Sequence, residues 1–142
     1  YEISMERISI DLMVEPLLAV LLLSVAPVCT TANIMLANNI CDVEKDIKVK
    51  RFTLPYYLGS KAVTLFAVLY CVIYLAIIAM VIMKILSPVC LLFFITLPIV
   101  MKNIKVFMQK QEKATTFIVA IKNYIIIMGS VTLLIFISSF LI

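Results

Sequence analysis

Residues 38–51 read NNICDVEKDIKVKR, a mixture of carboxamides, carboxylates and cations set among long apolar runs. If the stretch is helical, Asn38, Asp42 and Asp46 recur every four residues and drift about 40° per step, so all three share one face. Oxygen ligands on adjacent turns suit a hard cation. Magnesium takes roughly one or two carboxylates and leaves its other positions to waters and phosphate oxygens. Lys50 and Arg51 follow within reach of a phosphate bound there. Arginine offers phosphate a planar fork of donors, and lysine offers a compact charge. The residue types thus suit a magnesium-diphosphate site. An ordinary solvated loop of mixed charge has the same spacing, and D-x-x-x-D alone does not separate the two readings.

Two features favour the site. Asn38 and Asn39 end an otherwise apolar run, and Thr31 and Asn33 place polar groups deeper in it. Thr31 lies seven residues before Asn38, two turns along the same face, as expected of a face that lines a polar cavity. Taken alone, Thr31 equally suits backbone or interhelical hydrogen bonding.

The elements that position these residues follow from composition. Of 142 residues, 65% are hydrophobic and 14% charged, and the mean hydropathy is +1.20, which excludes an ordinary soluble domain. Uncharged runs at 16–41, 62–83, 85–101 and 123–142 are close to the roughly 17 to 25 residues that cross a bilayer as a helix. The expected fold is all-α, a polytopic transmembrane bundle of about four helices at 16–41, 61–83, 85–101 and 115–142. A motif loop is expected at 38–60. The third helix is the shortest and carries Pro88 and Pro98. The first 15 residues are acidic and no small-residue cleavage pattern follows a basic start, so a secretory signal is not the expected reading of this stretch.

Basic residues cluster after the first helix, at Lys45, Lys48, Lys50, Arg51 and Lys61, and again at Lys102, Lys105, Lys110 and Lys113. With only Lys84 between the second and third helices, both clusters fall on one side, which the positive-inside rule makes cytoplasmic. The protein is expected in the cell membrane as a multi-pass protein. Its net charge of +4 flanks spans and anionic headgroups, and no nucleic-acid partner is implied. Cys29, Cys71 and Cys90 fall in spans and Cys41 in the polar segment, so no metal-finger or disulfide framework is expected. The absence of histidine leaves carboxylates, amides, lysines, arginines, hydroxyls and tyrosines to do any chemistry. No internal repeat is evident.

Residues 38–59 resemble the second aspartate-rich motif of the UbiA-type membrane prenyltransferases, above all the branch that makes menaquinone. That pattern runs NN-x-x-D-x-x-x-D, then Thr-Leu, then Leu-Gly. Asn38, Asn39, Asp42, Asp46, Thr53, Leu54, Leu58 and Gly59 fall in register with it. Looser likeness continues through Leu97-Pro98 and Lys122-Asn123. Two departures stand out: Cys41 replaces a frequent arginine, and Lys50 replaces a usual glycine.

The resemblance implies a bundle of about nine helices of which these four are the C-terminal portion. The family's first motif, N-D-x-x-D-x-x-x-D, is absent from this sequence, and the chain opens on Tyr1, so missing N-terminal helices are expected to carry it. The implied reaction is transfer of a polyprenyl group from an allylic diphosphate to an aromatic acceptor. Magnesium would lie between the two motifs, with Asp42 and Asp46 catalytic, Asn38 beside them on the metal, and Lys50 and Arg51 on the diphosphate. The acceptor implied is 1,4-dihydroxy-2-naphthoate, with the 4-hydroxybenzoate and haem branches as alternatives. A chain with half of this site is expected to be inactive alone.

Asn39, Tyr56, Lys122 and Asn123 join Thr31 as further candidates to line the substrate. Tyr56 and Tyr57 suit either stacking on an allylic cation or aromatic ring, or anchoring at the interface. Lys122 suits either a cavity or snorkelling to headgroups. Outside enzymes, a transporter or small membrane subunit could carry Asp42 and Asp46 as an ion site or as plain loop charges.

Overall fold

A backbone that enters lipid must satisfy its own hydrogen bonds, and this sequence does so with helices. The structure is a computed structural model that describes the backbone of residues 2–140 and the side chains of residues 14–140. Helix α1 spans Glu2–Lys48, a short α2 spans Leu54–Leu58, and α3 spans Lys61–Ile82. A 3-10 segment, Pro88–Thr96, runs into α4, Leu97–Gln109, and α5 spans Ile118–Ser138. No strand occurs among the described residues. Among the described residues four runs are long and apolar enough to cross a membrane: Val14–Lys48, Lys61–Ile82, Pro88–Gln109 and Ile118–Ser138. The all-α membrane bundle expected from composition is therefore observed.

Several boundaries differ from expectation. The segment 38–48, expected within a loop, is helical, because α1 runs on past the last apolar residues. The third run is a 3-10 segment followed by an α-helix, extending to Gln109 where the sequence suggested 101. Its prolines explain the shape. Pro88 opens the 3-10 segment behind Ser87, whose hydroxyl accepts from the Val89 N–H at 3.4 Å. Pro98 sits in the first turn of α4, where its missing N–H is harmless. Residues 141–142 of the expected last helix lie outside the described residues.

The buried face of α1 comprises Ala26, Cys29, Thr30, Asn33, Leu36 and Ala37, spaced by three and four as one helical stripe requires. Leu17, Val20, Leu21, Val28 and Met35 point outward, an apolar exterior suited to lipid or to further helices. On α3, Phe66, Tyr70, Ile73, Ile77 and Met80 form the matching stripe. The Phe66 ring lies 4.5 Å from that of Phe107 on α4, and Tyr74 stacks at 4.7 Å on Phe93. The Tyr74 hydroxyl shares a 2.8 Å hydrogen bond with Thr96, so a polar group inside the apolar layer is satisfied. Helix α1 packs on both α3 and α5, which makes it the spine of the bundle.

Helix α1 packs against α3, and the Asn33 amide donates to the Phe66 carbonyl at 3.1 Å. Ala37, one turn on from Asn33, is fully buried. Ala37→Leu is expected to destabilise the fold by about 1–3 kcal/mol through overpacking. Met35→Leu, on the exposed side, should leave stability unchanged. Unfolding of both variants in detergent by circular dichroism checks the contrast.

Candidate functional site

Helical continuation to Lys48 puts Asn38, Asp42 and Asp46 on successive turns. The helix then stops at a defined turn. Lys50 takes a left-handed φ of 58°, its N–H donates to the Ile47 carbonyl at 3.0 Å, and the Arg51 N–H donates to the Asp46 carbonyl at 2.8 Å. These are the paired bonds of a Schellman cap, in which the left-handed position usually belongs to glycine. The lysine that departs from the family pattern therefore leaves the turn intact.

The cap fixes Asp46. Its carboxylate is 3.8 Å from the Arg51 guanidinium while its carbonyl holds the Arg51 backbone, so one residue grips both ends of another. The Asp46 side chain is only 11% exposed, and its Oδ2 is buried with no protein partner. A buried unpaired carboxylate oxygen is costly and calls for a cation or donor that the described residues do not supply. Arg51 remains 63% exposed, so most of its guanidinium donors are free for an anion.

Asn38 and Asp42 face another partner. The Lys113 ammonium, on the loop between α4 and α5, donates to Asn38 Oδ1 and to Asp42 Oδ2 together. Lys45 also approaches Asp42, at 3.9 Å, but it is 78% exposed and contributes little. The Lys113 loop is internally braced. The Glu112 N–H donates to the Thr116 hydroxyl at 2.8 Å, and the Glu112 carbonyl accepts from the Thr116 and Phe117 N–H groups at 2.9 and 3.1 Å. The Glu112 carboxylate is occupied by Lys110 at 2.8 Å and by the Thr115 hydroxyl at 2.8 Å, and these bonds hold its carboxyl below the usual range.

The oxygens thus fall into two sets. Asn38 and Asp42 converge on one point, and Asp46 with Arg51 forms a second pair one turn further on. Among the described residues no group of three histidines, cysteines or carboxylates could hold a metal. Magnesium asks less of a protein, since phosphate and water fill most of its sphere. Two convergent oxygens from Asn38 and Asp42, with the orphaned Asp46 Oδ2 nearby in sequence, fit that demand.

The remaining candidates divide. Asn123 is fully buried and its Oδ1 accepts from the Asn103 amide at 2.7 Å. Thr31 and Lys122 are exposed, and Asn39 is half-buried. Tyr56 lines an open groove of about 750 Å³ with Cys41, Glu44, Gly59 and Glu112, and its ring lies 4.8 Å from Phe52 and 5.1 Å from Tyr57. Thr30 and Asn33, rather than Thr31, are the inward polar groups in the apolar stretch of α1. The Tyr70 hydroxyl faces the side chains of Asn33 and Asn123 deep between α1, α3 and α5, without a formed hydrogen bond to either.

Sequence reasoning did not single out Lys113, Tyr70 or Asn103. Lys113 stood only as one of several topogenic charges. The signal was its loop, which shares a membrane side with the motif.

Among the described residues the fold is thus an all-helical bundle with four runs able to span a membrane, and one end of it carries the Asn38-Asp42 face beside Lys113 and Arg51. Residues 8–139 match the UbiA prenyltransferase family, and the chain belongs to that family. It is also 36% identical over 104 residues to the 1,4-dihydroxy-2-naphthoate octaprenyltransferase of Bacillus subtilis (strain 168). That alignment covers 72% of this chain and 33% of the relative, so the chain spans about a third of that protein's length. No solved structure matches it.

The left-handed lysine gives a direct test of the cap. Lys50→Gly is expected to stabilise the protein by about 1 kcal/mol, since glycine adopts positive φ without the Cβ clash. Lys50→Val should lower stability. The thermal midpoints of the two variants should fall on opposite sides of the parent's.

Proposed function

We propose that this chain forms one half of a magnesium-diphosphate site in an enzyme that transfers a polyprenyl group to an aromatic acceptor. The acceptor proposed is 1,4-dihydroxy-2-naphthoate, in menaquinone biosynthesis. The observation that carries this reading is the convergence of Asn38 Oδ1 and Asp42 Oδ2 on one cation, with Asp46 and Arg51 one turn beyond. Membership of the UbiA family and the name of the Bacillus subtilis relative support it. The other half of the site would come from helices bearing a first aspartate-rich motif.

When bound, magnesium would draw off the negative charge that builds on the diphosphate as its carbon-oxygen bond breaks. Asn38, Asp42 and Asp46 would hold the ion through oxygen atoms alone. Arg51, and Lys50 beside it, would supply fixed positive charge to the leaving diphosphate, where charge develops in the transition state. Asp46 keeps Arg51 in place through both its carboxylate and its carbonyl. An apolar bundle surface gives the prenyl tail a path from the bilayer, while the charged groups stay at the ends of the helices. The acceptor ring would then attack the allylic carbon, a step for which Tyr56 at the groove offers an aromatic face.

The site end of the bundle is assigned to the cytoplasmic face of the cell membrane, because Lys45, Lys48, Lys50, Arg51, Lys102, Lys105, Lys110 and Lys113 lie on that side. In the full-length protein, Asp42→Asn and Asp46→Asn are each expected to reduce magnesium-dependent prenylation of 1,4-dihydroxy-2-naphthoate by at least roughly 100-fold. Chromatographic assay of prenylated product checks this, and near-normal turnover by both variants would sink the metal assignment. Separately, a Lys48→Cys variant should react with an impermeant maleimide only from the cytoplasmic side. Labelling in intact cells would reverse the orientation.

A further inference from the structure

The contact between Lys113 and the Asn38-Asp42 pair has a specific geometry. Two oxygens from adjacent turns of α1 accept from a single nitrogen, so that nitrogen sits where a shared cation would sit. Among the described residues, Asp42 is the only carboxylate within ion-pair distance of Lys113. Glu112, next in sequence, is committed to Lys110 and Thr115 and does not draw Lys113 away.

We propose that the Lys113 ammonium is a built-in occupant of the cation position, which holds Asn38 and Asp42 together until a divalent ion displaces it. The proposal rests on the metal-diphosphate reading above. An Asp42 carboxylate at the end of a membrane helix, with a side chain only 19% exposed, is costly without a positive partner. Lysine supplies that charge in the absence of metal. A divalent ion would bind the same oxygens at about 2.0–2.1 Å, which leaves no room for an ammonium against them. Repulsion between the two cations then drives Lys113 out.

Its exit is open. The Lys113 side chain is 41% exposed, stands on a loop, and lies 5.5 Å from the centroid of the Phe117 ring, whose face can receive an ammonium. The long flexible stem lets the charge move while the braced loop stays. Arriving metal therefore exchanges one cation for another, and the oxygen pair never stands unpaired. Weak metal binding without diphosphate follows, because the ion must first displace the lysine.

Manganese, read by electron paramagnetic resonance, probes the exchange in the full-length protein in lipid nanodiscs without any diphosphate. Lys113→Gln, which keeps a donor and loses the charge, should bind manganese roughly three- to tenfold tighter than the parent. Lys113→Arg should stay near the parent. Equal affinity for the parent and Lys113→Gln overturns the proposal while the metal reading stands. If neither protein binds manganese, or if Asp42→Asn binds it as the parent does, the metal reading falls and the proposal with it. A second measurement needs no variant: acylation of Lys113 by an amine-reactive ester, mapped by mass spectrometry, should quicken several-fold when manganese saturates the parent. An unchanged rate overturns the proposal.

Discussion

Peptide groups that enter a bilayer find no water, so a chain this apolar can fold only by closing its backbone hydrogen bonds within each segment. The same constraint governs side chains. Thr30 turns its hydroxyl back to the Ala26 carbonyl at 2.7 Å, and Asn33 spends its amide on the Phe66 carbonyl. Tyr74 pairs with Thr96, and Asn103 with Asn123. Each of these bonds ties one helix either to itself or to a neighbour. The apolar layers around them supply most of the packing, and the polar ties fix which helix faces fit together.

At the site end the constraint relaxes, because α1 runs beyond its apolar stretch and water can reach part of it. Charged residues become tolerable there, provided they are paired. Arg51 answers Asp46 locally, through the cap that stops the helix, and Lys113 answers Asp42 from the far end of the chain. One pairing is set by a turn of a few residues, the other by the packing of α1 on α5. A shift of α1 against α5 would separate Lys113 from Asp42 and leave the Arg51 pair untouched. The geometry of the oxygen face therefore reports on the bundle as a whole.

Much of this was legible in the sequence. Four long uncharged runs define four spans, and the spacing of Asn38, Asp42 and Asp46 defines a common face once a helix is assumed. The end of α1 was not legible, because charge marks where a helix leaves lipid and not where it stops. Lys45 and Lys48 are good helix formers, and the backbone continues through them to the cap. The turn at Lys50 was obscured by a residue that seldom adopts positive φ. Lys113 was hidden for a different reason. Its partner lies 71 residues away, and local pattern carries no information about such a contact. Thr31 and Asn33 show the limit of counting turns along one helix. Two residues apart, they stand on different faces, and only the position of α3 decides that Asn33 is the inward one.

The buried amides and phenol carry the same logic across the whole bundle. Asn103 on α4 donates to Asn123 on α5, and Asn33 on α1 donates to the backbone of α3. Between them lie three orphaned atoms, the Asn123 Nδ2, the Tyr70 hydroxyl and the Asn33 Oδ1. Their chemistry is complementary. An amide can donate to a phenol oxygen, and the phenol can donate to an amide oxygen. Small rotations of side chains would close an unbroken chain of donors from α4 through α5 and α3 to α1. Such a chain in a low-dielectric interior has a definite direction, since each hydroxyl or amide that accepts also strengthens its own donation. It would lock the register of α1 against α5 deep in the bundle, and that register is what brings Lys113 over Asn38 and Asp42 at the surface.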